Sequence, residues 1–223
     1  QGRPVLSAQD LNNDTSVRRW RGTGSPLDAA QWTAPTVIAA DQGSLAGGPA
    51  GVFLMAKPPS GAGPYSVRRL NPQGEGYVEG AARAISPERD NVLGELHQGP
   101  DGRLVAAWSQ RDRGLLLREA NTAAAGRPSF GPATKLADGA ANGQIALGTT
   151  ADGGGFAVFN HTGDIVGDGE IQVAGFGSQL ATGQPGVVDV SGGGLTPSGS
   201  CGQLSFGSFT AQTAQGCLLK GKG

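Results

Sequence analysis

The residues best suited to bind a metal ion lie in one stretch of the chain, from Asn160 to Glu170. It carries four carboxylate or amide side chains within eleven residues, and the acidic ones are Asp164, Asp168 and Glu170. Carboxylate and amide oxygens are the ligands that a hard cation such as Ca²⁺ prefers, although the spacing is not that of an EF-hand. Two interpretations stay open: a calcium site formed by the three acidic residues, or a hydrated loop with no cofactor.

The chain has two histidines, His97 and His161, and a Ser-His-Asp arrangement would have to use one of them. No Gly-x-Ser-x-Gly turn supports such a nucleophile. The glycine-rich stretches lack the Lys-Ser/Thr pair of a phosphate-binding loop. We therefore assign no catalytic residue and favour a binding function. The candidate binding residues are His97, Asp101, Arg118, His161, Asp164 and Asp168.

Composition excludes several partners. The formal net charge is −1 and the isoelectric point about 6.1, so there is no basic footprint for nucleic acid or for an anionic membrane surface. No apolar run approaches the roughly 20 residues of a membrane-spanning helix. The start at Gln1 suggests a mature or excised product. Many arginines and alanines are compatible with a bacterial source of high GC content.

The two cysteines, Cys201 and Cys217, lie close together near the C-terminus, and neither is near a histidine. A local disulfide in an oxidising, secreted or cell-surface compartment is the preferred interpretation, and two free thiols are the alternative.

A degenerate repeat of about 50 residues runs through the chain. Ser16 to Trp20 is echoed by Ser66 to Leu70, 50 residues later, and further copies begin at Leu115 and at Glu170, after steps of 49 and 55 residues. The first three copies precede a turn and an aromatic residue, which is Trp32, Tyr77 or Phe130. Such periodicity predicts a repeat architecture rather than a sandwich.

Hairpins separate these copies. Gly94 to His97 leads through Pro100-Asp101-Gly102 into the apolar run Leu104 to Trp108, and Asp-Gly between apolar runs is a strong hairpin signal. Each repeat therefore reads as four short antiparallel strands, which is the unit of a β-propeller blade. The sequence predicts an all-β fold in which residues 1–185 form about four blades.

Residues 186–223 differ in character, with a Gly/Ser-rich linker followed by a small hairpin linked by the disulfide. This segment is interpreted as a linker and hairpin, or as part of a further domain.

The segment from Pro100 to Trp108, followed by Leu116-Leu117-Arg118 and by Gly126 to Pro132, resembles the blades of sialidase-like, Asp-box propellers of secreted bacterial proteins. The resemblance covers about residues 1–185 and is clearest in the third repeat, where the Asp-box aspartate is absent. It implies a propeller fold. Sialidase-like enzymes use an arginine cluster, a tyrosine–glutamate pair and an acidic residue, and no such set transfers to this chain.

Three functions follow as hypotheses. The preferred one is a non-catalytic, secreted or cell-surface module that binds a protein or a glycan. The second is a diverged sialidase-like glycoside hydrolase, and the third is a purely structural domain of a larger extracellular protein. A shared fold does not decide among them.

Overall fold

The protein is all-β in a computed structural model, with a single turn of 3₁₀ helix at Ala29–Gln31. The structure describes residues 4–9, 14–38, 41–87, 91–111, 113–121, 127–138, 141–149, 154–161, 170–177, 187–189, 196–197, 202–206, 209–213 and 218–222. Within these residues no helix is long and apolar enough to cross a membrane.

Four small sheets follow one another along the chain and are arranged as the blades of a four-bladed β-propeller, as the repeat predicts. Sheet 1 contains β1 (Val5–Gln9), β2 (Thr15–Arg19) and β3 (Thr36–Ile38). Sheet 2 contains β4 (Asp41–Gly48), β5 (Gly51–Lys57), β6 (Ser66–Gln73), β7 (Gly76–Glu79) and β8 (Arg83–Ala84). Sheet 3 contains β9 (Asn91–Gln98), β10 (Leu104–Gln110), β11 (Gly114–Asn121), β12 (Ser129–Phe130) and β13 (Thr134–Ala137). Sheet 4 is built on β14 (Ala141–Thr149), β15 (Gly155–His161) and β16 (Glu170–Phe176).

The strands β4, β9 and β14 are the innermost strands of sheets 2, 3 and 4, and β9 contacts both of the others. Sheet 1 is different. Its first strand, β1, matches the second strands β5 and β10, because Leu6, Leu54 and Ala106 lie opposite Arg18, Arg68 and Arg118. Among the described residues, no strand pairs with the edge of β1 that faces away from β2. Sheet 1 therefore has three strands rather than the expected four.

These registers correct the residue at which the third copy of the repeat begins. Arg18, Arg68 and Arg118 occupy one position in three sheets, so the third copy begins at Leu116 and not at Leu115. The three leucines from Leu115 to Leu117 explain the error, since a one-residue shift leaves an equally apolar match. Such a shift moves every side chain to the other face of the strand.

The core consists of three apolar layers, one between each pair of successive sheets. Val17 and Ile38 of sheet 1 pack on Leu54 and Leu70 of sheet 2. The layer between sheets 2 and 3 is the largest and includes Phe53, Met55, Tyr65 and Trp108, all at most 1% exposed. The third layer joins Val105 and Leu117 to Phe159 and Phe176.

The aromatic positions of the repeat need a second correction. Trp32 lies opposite Trp20, and Phe130 opposite Ala120, whereas the residue opposite Leu70 is Glu79. Tyr77 comes two residues before Glu79 and lies opposite Pro72, because the pairing of β6 with β7 continues as far as Gln73. Tyr77 nevertheless belongs to the core, since it is 7% exposed and packs between sheets 1 and 2.

The C-terminal strands are β17 (Val187–Asp189), β18 (Thr196–Pro197), β19 (Gly202–Phe206), β20 (Phe209–Thr213) and β21 (Leu218–Lys222). The strands β19 and β20 form a hairpin of their own, so this segment does contain a hairpin, and β21 adds to sheet 4 beside β16. Cys201 and Cys217 lie outside the described residues, so their disulfide stays a prediction, as does a domain boundary at residue 186.

Candidate functional site

The turns that join the first two strands of sheets 2 and 3 lie at one end of the molecule, which we call the hairpin end. The β4–β5 turn is the short Pro49-Ala50 pair, with Gly48 opposite Gly51. The β9–β10 turn is longer, from Gly99 to Arg103, and Gln98 reaches across to the β4–β5 turn, where its Oε1 accepts a hydrogen bond from Ala50 N at 3.0 Å. The candidate site lies beside this contact.

A cavity of about 800 Å³ opens at the hairpin end between sheets 1 and 2. Its volume falls in the usual range of small-ligand pockets. Its walls are mostly apolar, with backbone from three glycines. The lining residues are Pro4, Val5, Arg19, Leu45, Gly47, Gly48, Pro49, Gly51, Val52, Pro72 and Tyr77.

Arg19 and Tyr77 supply the polar groups of the cavity side chains. The Arg19 guanidinium lies over the Tyr77 ring, 5.9 Å from its centroid, and donates from Nη2 to the carbonyl of Gly74 at 2.6 Å. Burial raises the pKa of Tyr77, and the positive charge of Arg19 opposes that shift, so the phenol is neutral at physiological pH. The arrangement is a cation held against an aromatic face.

The cavity exists because glycine, at Gly47, occupies an inner-strand position that carries a larger side chain in the next sheets. Gly47, Val52 and Leu70 lie opposite one another in sheet 2, as Gln98, Leu104 and Ala120 do in sheet 3, so Gly47 and Gln98 are equivalent. A Cβ on Gly47 would have nothing within 4 Å, whereas Gln98 packs so closely on Gly48 that a Cβ there would collide with it. The third equivalent residue, Leu147, packs against the core of sheets 3 and 4.

A second polar group gathers around Gly99, at the hairpin end of sheets 3 and 4. His97 Nε2 lies 3.1 Å from Thr149 Oγ1. A Cβ on Gly99 would lie 2.7 Å from Asp101 Oδ1 and 3.0 Å from Thr149 Oγ1, so two of the expected binding residues, His97 and Asp101, lie close together. Burial lowers the pKa of His97, so the ring is neutral at physiological pH.

Asp101 also has a structural role. Its Oδ1 accepts a hydrogen bond from Arg103 N at 3.0 Å, which closes the β9–β10 turn. Its Oδ2 lies 3.8 Å from Arg103 Nε, and Arg103 pairs more closely with Glu119, at 2.8 Å. Asp101 is thus part of an ion-pair network on the turn.

Arg118, the third expected residue that is described, lies elsewhere. It lies over the Trp108 ring at 5.9 Å from the centroid, on the face of sheet 3 that packs on sheet 2. Its equivalent Arg68 pairs with Glu79 of the same sheet. Arg68 thus forms its ion pair within its own sheet.

The remaining expected residues cannot be placed at a site. His161 ends β15, opposite Glu170 at the start of β16, and the structure describes only their backbone. Asp164 and Asp168 lie outside the described residues, so the calcium hypothesis stays a prediction. Within the described residues, no cluster of three or more His, Cys, Asp or Glu side chains suited to a metal was found.

Arg19 and the cavity glycines were missed at the sequence level. The available signal was the contrast between Gly47 and its equivalent Gln98, which is readable once the inner strands are aligned on Leu45 and Leu96.

Comparison with known proteins found no match: no family model, no curated protein and no solved structure matches the chain.

Proposed function

We propose that this protein is a non-catalytic binding module of a secreted or cell-surface protein and that it recognises a protein or a glycan at the hairpin end. The observation that carries the proposal is the cavity between sheets 1 and 2. It is large enough for a small ligand or an end group, its walls are apolar, and it presents one aromatic ring and one cation. Pockets of this composition are typical binding sites.

The lining of the cavity supports binding over hydrolysis. Glycoside hydrolysis generally needs a pair of carboxyl groups about 5 to 9.5 Å apart on the two sides of the scissile bond. Among the described residues, those that line the cavity include neither a carboxylate nor a histidine. Arg19 and Tyr77 can hold a ligand there, but with Tyr77 neutral they offer no acid–base pair.

The test is a paired screen of the folded protein on a glycan array and on an immobilised peptide library. The wild type should bind a selective set of ligands on one of the two. Gly47→Gln, which places a side chain in the cavity as Gln98 does in the next interface, should lose that binding. The matched control Gln73→Ala changes an exposed residue of β6 outside the cavity and should bind as the wild type does.

Two results would contradict the proposal. Wild-type binding that survives Gly47→Gln would show that the ligand lies elsewhere, and two blank screens on folded protein would favour a structural domain. The hydrolase alternative is tested separately with fluorogenic sialosides and related glycosides, where turnover above the uncatalysed rate would displace the binding-module proposal.

A further inference from the structure

Arg19 is the one charged residue among the described residues that line the cavity. It is half-buried at the end of β2, and its side chain makes one hydrogen bond in the described part of the chain, from Nη2 to the carbonyl of Gly74. Its Nε is buried with no hydrogen-bond partner there. A half-buried guanidinium with so few partners can gain much from an anionic one.

Three other arginines have acidic partners. Arg21 pairs with Glu75 at 3.0 Å, Arg68 pairs with Glu79, and Arg103 pairs with Glu119 at 2.8 Å. Arg19 bonds to the carbonyl of Gly74, and the carboxylate of the adjacent Glu75 is already paired with Arg21. Among the described residues that line the cavity, Arg19 therefore supplies a positive charge and no carboxylate balances it.

The remaining walls favour an apolar ligand body. Val5, Leu45, Val52 and Pro72 surround the space beside Tyr77, and a sugar would leave most of its hydroxyl groups facing these side chains without partners. An apolar side chain would instead be buried against them. A group that combines an apolar side chain with one carboxylate matches both features.

We propose that the cavity binds the C-terminal residue of a peptide that ends in an apolar side chain, with the terminal carboxylate on Arg19 and the side chain against Tyr77 and Val52. This inference rests on the proposed function and selects a protein partner over a glycan. Charge-assisted hydrogen bonds between guanidinium and carboxylate supply the affinity, and partial burial strengthens them.

The experiment measures fluorescence anisotropy of dansyl-Gly-Ala-Phe with a free terminal carboxylate and of the same peptide as its carboxamide. The acid should bind about tenfold more tightly than the amide, or better. Arg19→Gln should abolish that preference, and Arg19→Lys should keep part of it. The matched control Arg83→Gln removes an exposed arginine of β8 that does not line the cavity, and it should leave the acid-to-amide ratio unchanged.

Gly47→Gln is a second test of whether the peptide lies in the cavity, because it leaves Arg19 in place and fills the space beside it. It should weaken the acid and the amide alike. Near-ultraviolet circular dichroism of each variant verifies that the core is intact.

Each other outcome is decisive. Equal binding of acid and amide, both lost in Gly47→Gln, would overturn the carboxylate inference and leave the binding-module proposal standing. Arg19-dependent binding of a glucuronate-terminated disaccharide, with no binding of the peptide acid, would overturn the peptide assignment in favour of an acidic glycan. No binding of any of these probes would overturn the inference outright.

Discussion

The interface between sheets 1 and 2 and the interface between sheets 2 and 3 are built from equivalent rows of residues, yet the first holds a cavity and the second is filled. Sheet 2 presents its inner strand β4 to sheet 3, and Gln98 closes the hairpin end against Gly48 and Ala50. Sheet 1 has no described strand inside β1, and Gly47 stands where Gln98 does in the next interface. The hairpin end is thus closed at one interface and contains a cavity at the other.

The comparison teaches that a cavity in a repeat fold can form where one repeat has a smaller side chain than the others. The chemistry of the cavity comes from residues whose equivalents elsewhere are structural: Arg19 corresponds to Arg69 and Glu119 in the next two sheets. Two features distinguish the cavity from the filled interface. Gly47 has no side chain where Gln98 has one, and no described strand pairs with the edge of β1 that faces away from β2. Four expected consequences follow.

Replacing Trp108 with Ala should have the largest effect, because it hollows the filled interface. Trp108 is 1% exposed in the layer between sheets 2 and 3, and truncations of this kind cost about 3–5 kcal/mol. Urea denaturation measures the change in the free energy of unfolding. Leu27→Ala, at a residue that is 95% exposed, is the control and should remain within about 0.5 kcal/mol of the wild type. A loss below about 1 kcal/mol would show that this layer is not the main core.

Replacing Gln98 with Ala should destabilise the protein by about 1–3 kcal/mol, because Ala50 N loses its acceptor in a partly buried position. The same change makes the second interface resemble the first, so it should also open a new space at the hairpin end. Urea denaturation tests the stability, with Gln73→Ala on exposed β6 as the control. Equal stability of the two variants would mean that water replaces Gln98 at no cost.

Much of this fold is predictable from sequence because the repeat carries two independent signals. Asp101-Gly102 between apolar runs fixes the β9–β10 hairpin, and the recurring Ser-Val-Arg-Arg segment marks the equivalent strands β2 and β6 of sheets 1 and 2. The registers are harder to predict. Leu115, Leu116 and Leu117 give the same match in two frames, and backbone pairing alone shows that Leu116 is the equivalent of Ser66.

The inner strands carry a further sequence signal, a glycine two residues before a leucine or isoleucine. Gly43-Ser44-Leu45, Gly94-Glu95-Leu96 and Gly143-Gln144-Ile145 each begin such a strand segment, and Gly202-Gln203-Leu204 repeats the pattern at β19. The structure gives β19 a hairpin with β20, as the inner strands have with their second strands. Residues 202–213 thus continue the repeat pattern.

The candidate site was less predictable than the fold. His97 and Asp101 were expected from their polarity and do lie near each other, whereas no sequence pattern distinguished Arg19 from the other arginines of the repeat. Its difference from Arg68 depends on which acids lie nearby in space. That information comes from the packing of Gly74 and Glu75 against sheet 1, across more than 50 residues of chain.

Replacing Gly47 with Gln should stabilise the protein slightly, by about 0.4–1 kcal/mol, because it reduces the freedom of the unfolded chain at a position with room for a side chain. The sign is opposite to that of Gln98→Ala in the equivalent position, which sharpens the comparison. The midpoint of urea denaturation measures it. A destabilisation of more than about 1 kcal/mol would show that the space beside Gly47 is closed in solution.

The smallest expected effects are two opposing pH dependences on β9. Burial lowers the pKa of His97 below its ordinary value of 6.5, so the unfolded chain binds the proton more readily. Stability from this residue is complete above pH 6.5 and is lost as the pH falls towards the lowered pKa. Burial raises the pKa of Glu95 above 4.5, against the opposing hydrogen bond from Ser44 Oγ at 2.9 Å, so its contribution is complete below pH 4.5 and is lost as the pH rises.

Urea denaturation from pH 4 to pH 8 separates the two residues, with His97→Gln and Glu95→Gln measured beside the wild type. His97→Gln should lose less stability than the wild type on acidification below pH 6.5, and Glu95→Gln should lose less than the wild type as the pH rises above 4.5. Because His97 faces Thr149 of sheet 4 and Glu95 faces Ser44 of sheet 2, the two variants report on different interfaces. Curves that stay parallel to the wild type would mean that β9 is more hydrated at both interfaces than its packing indicates.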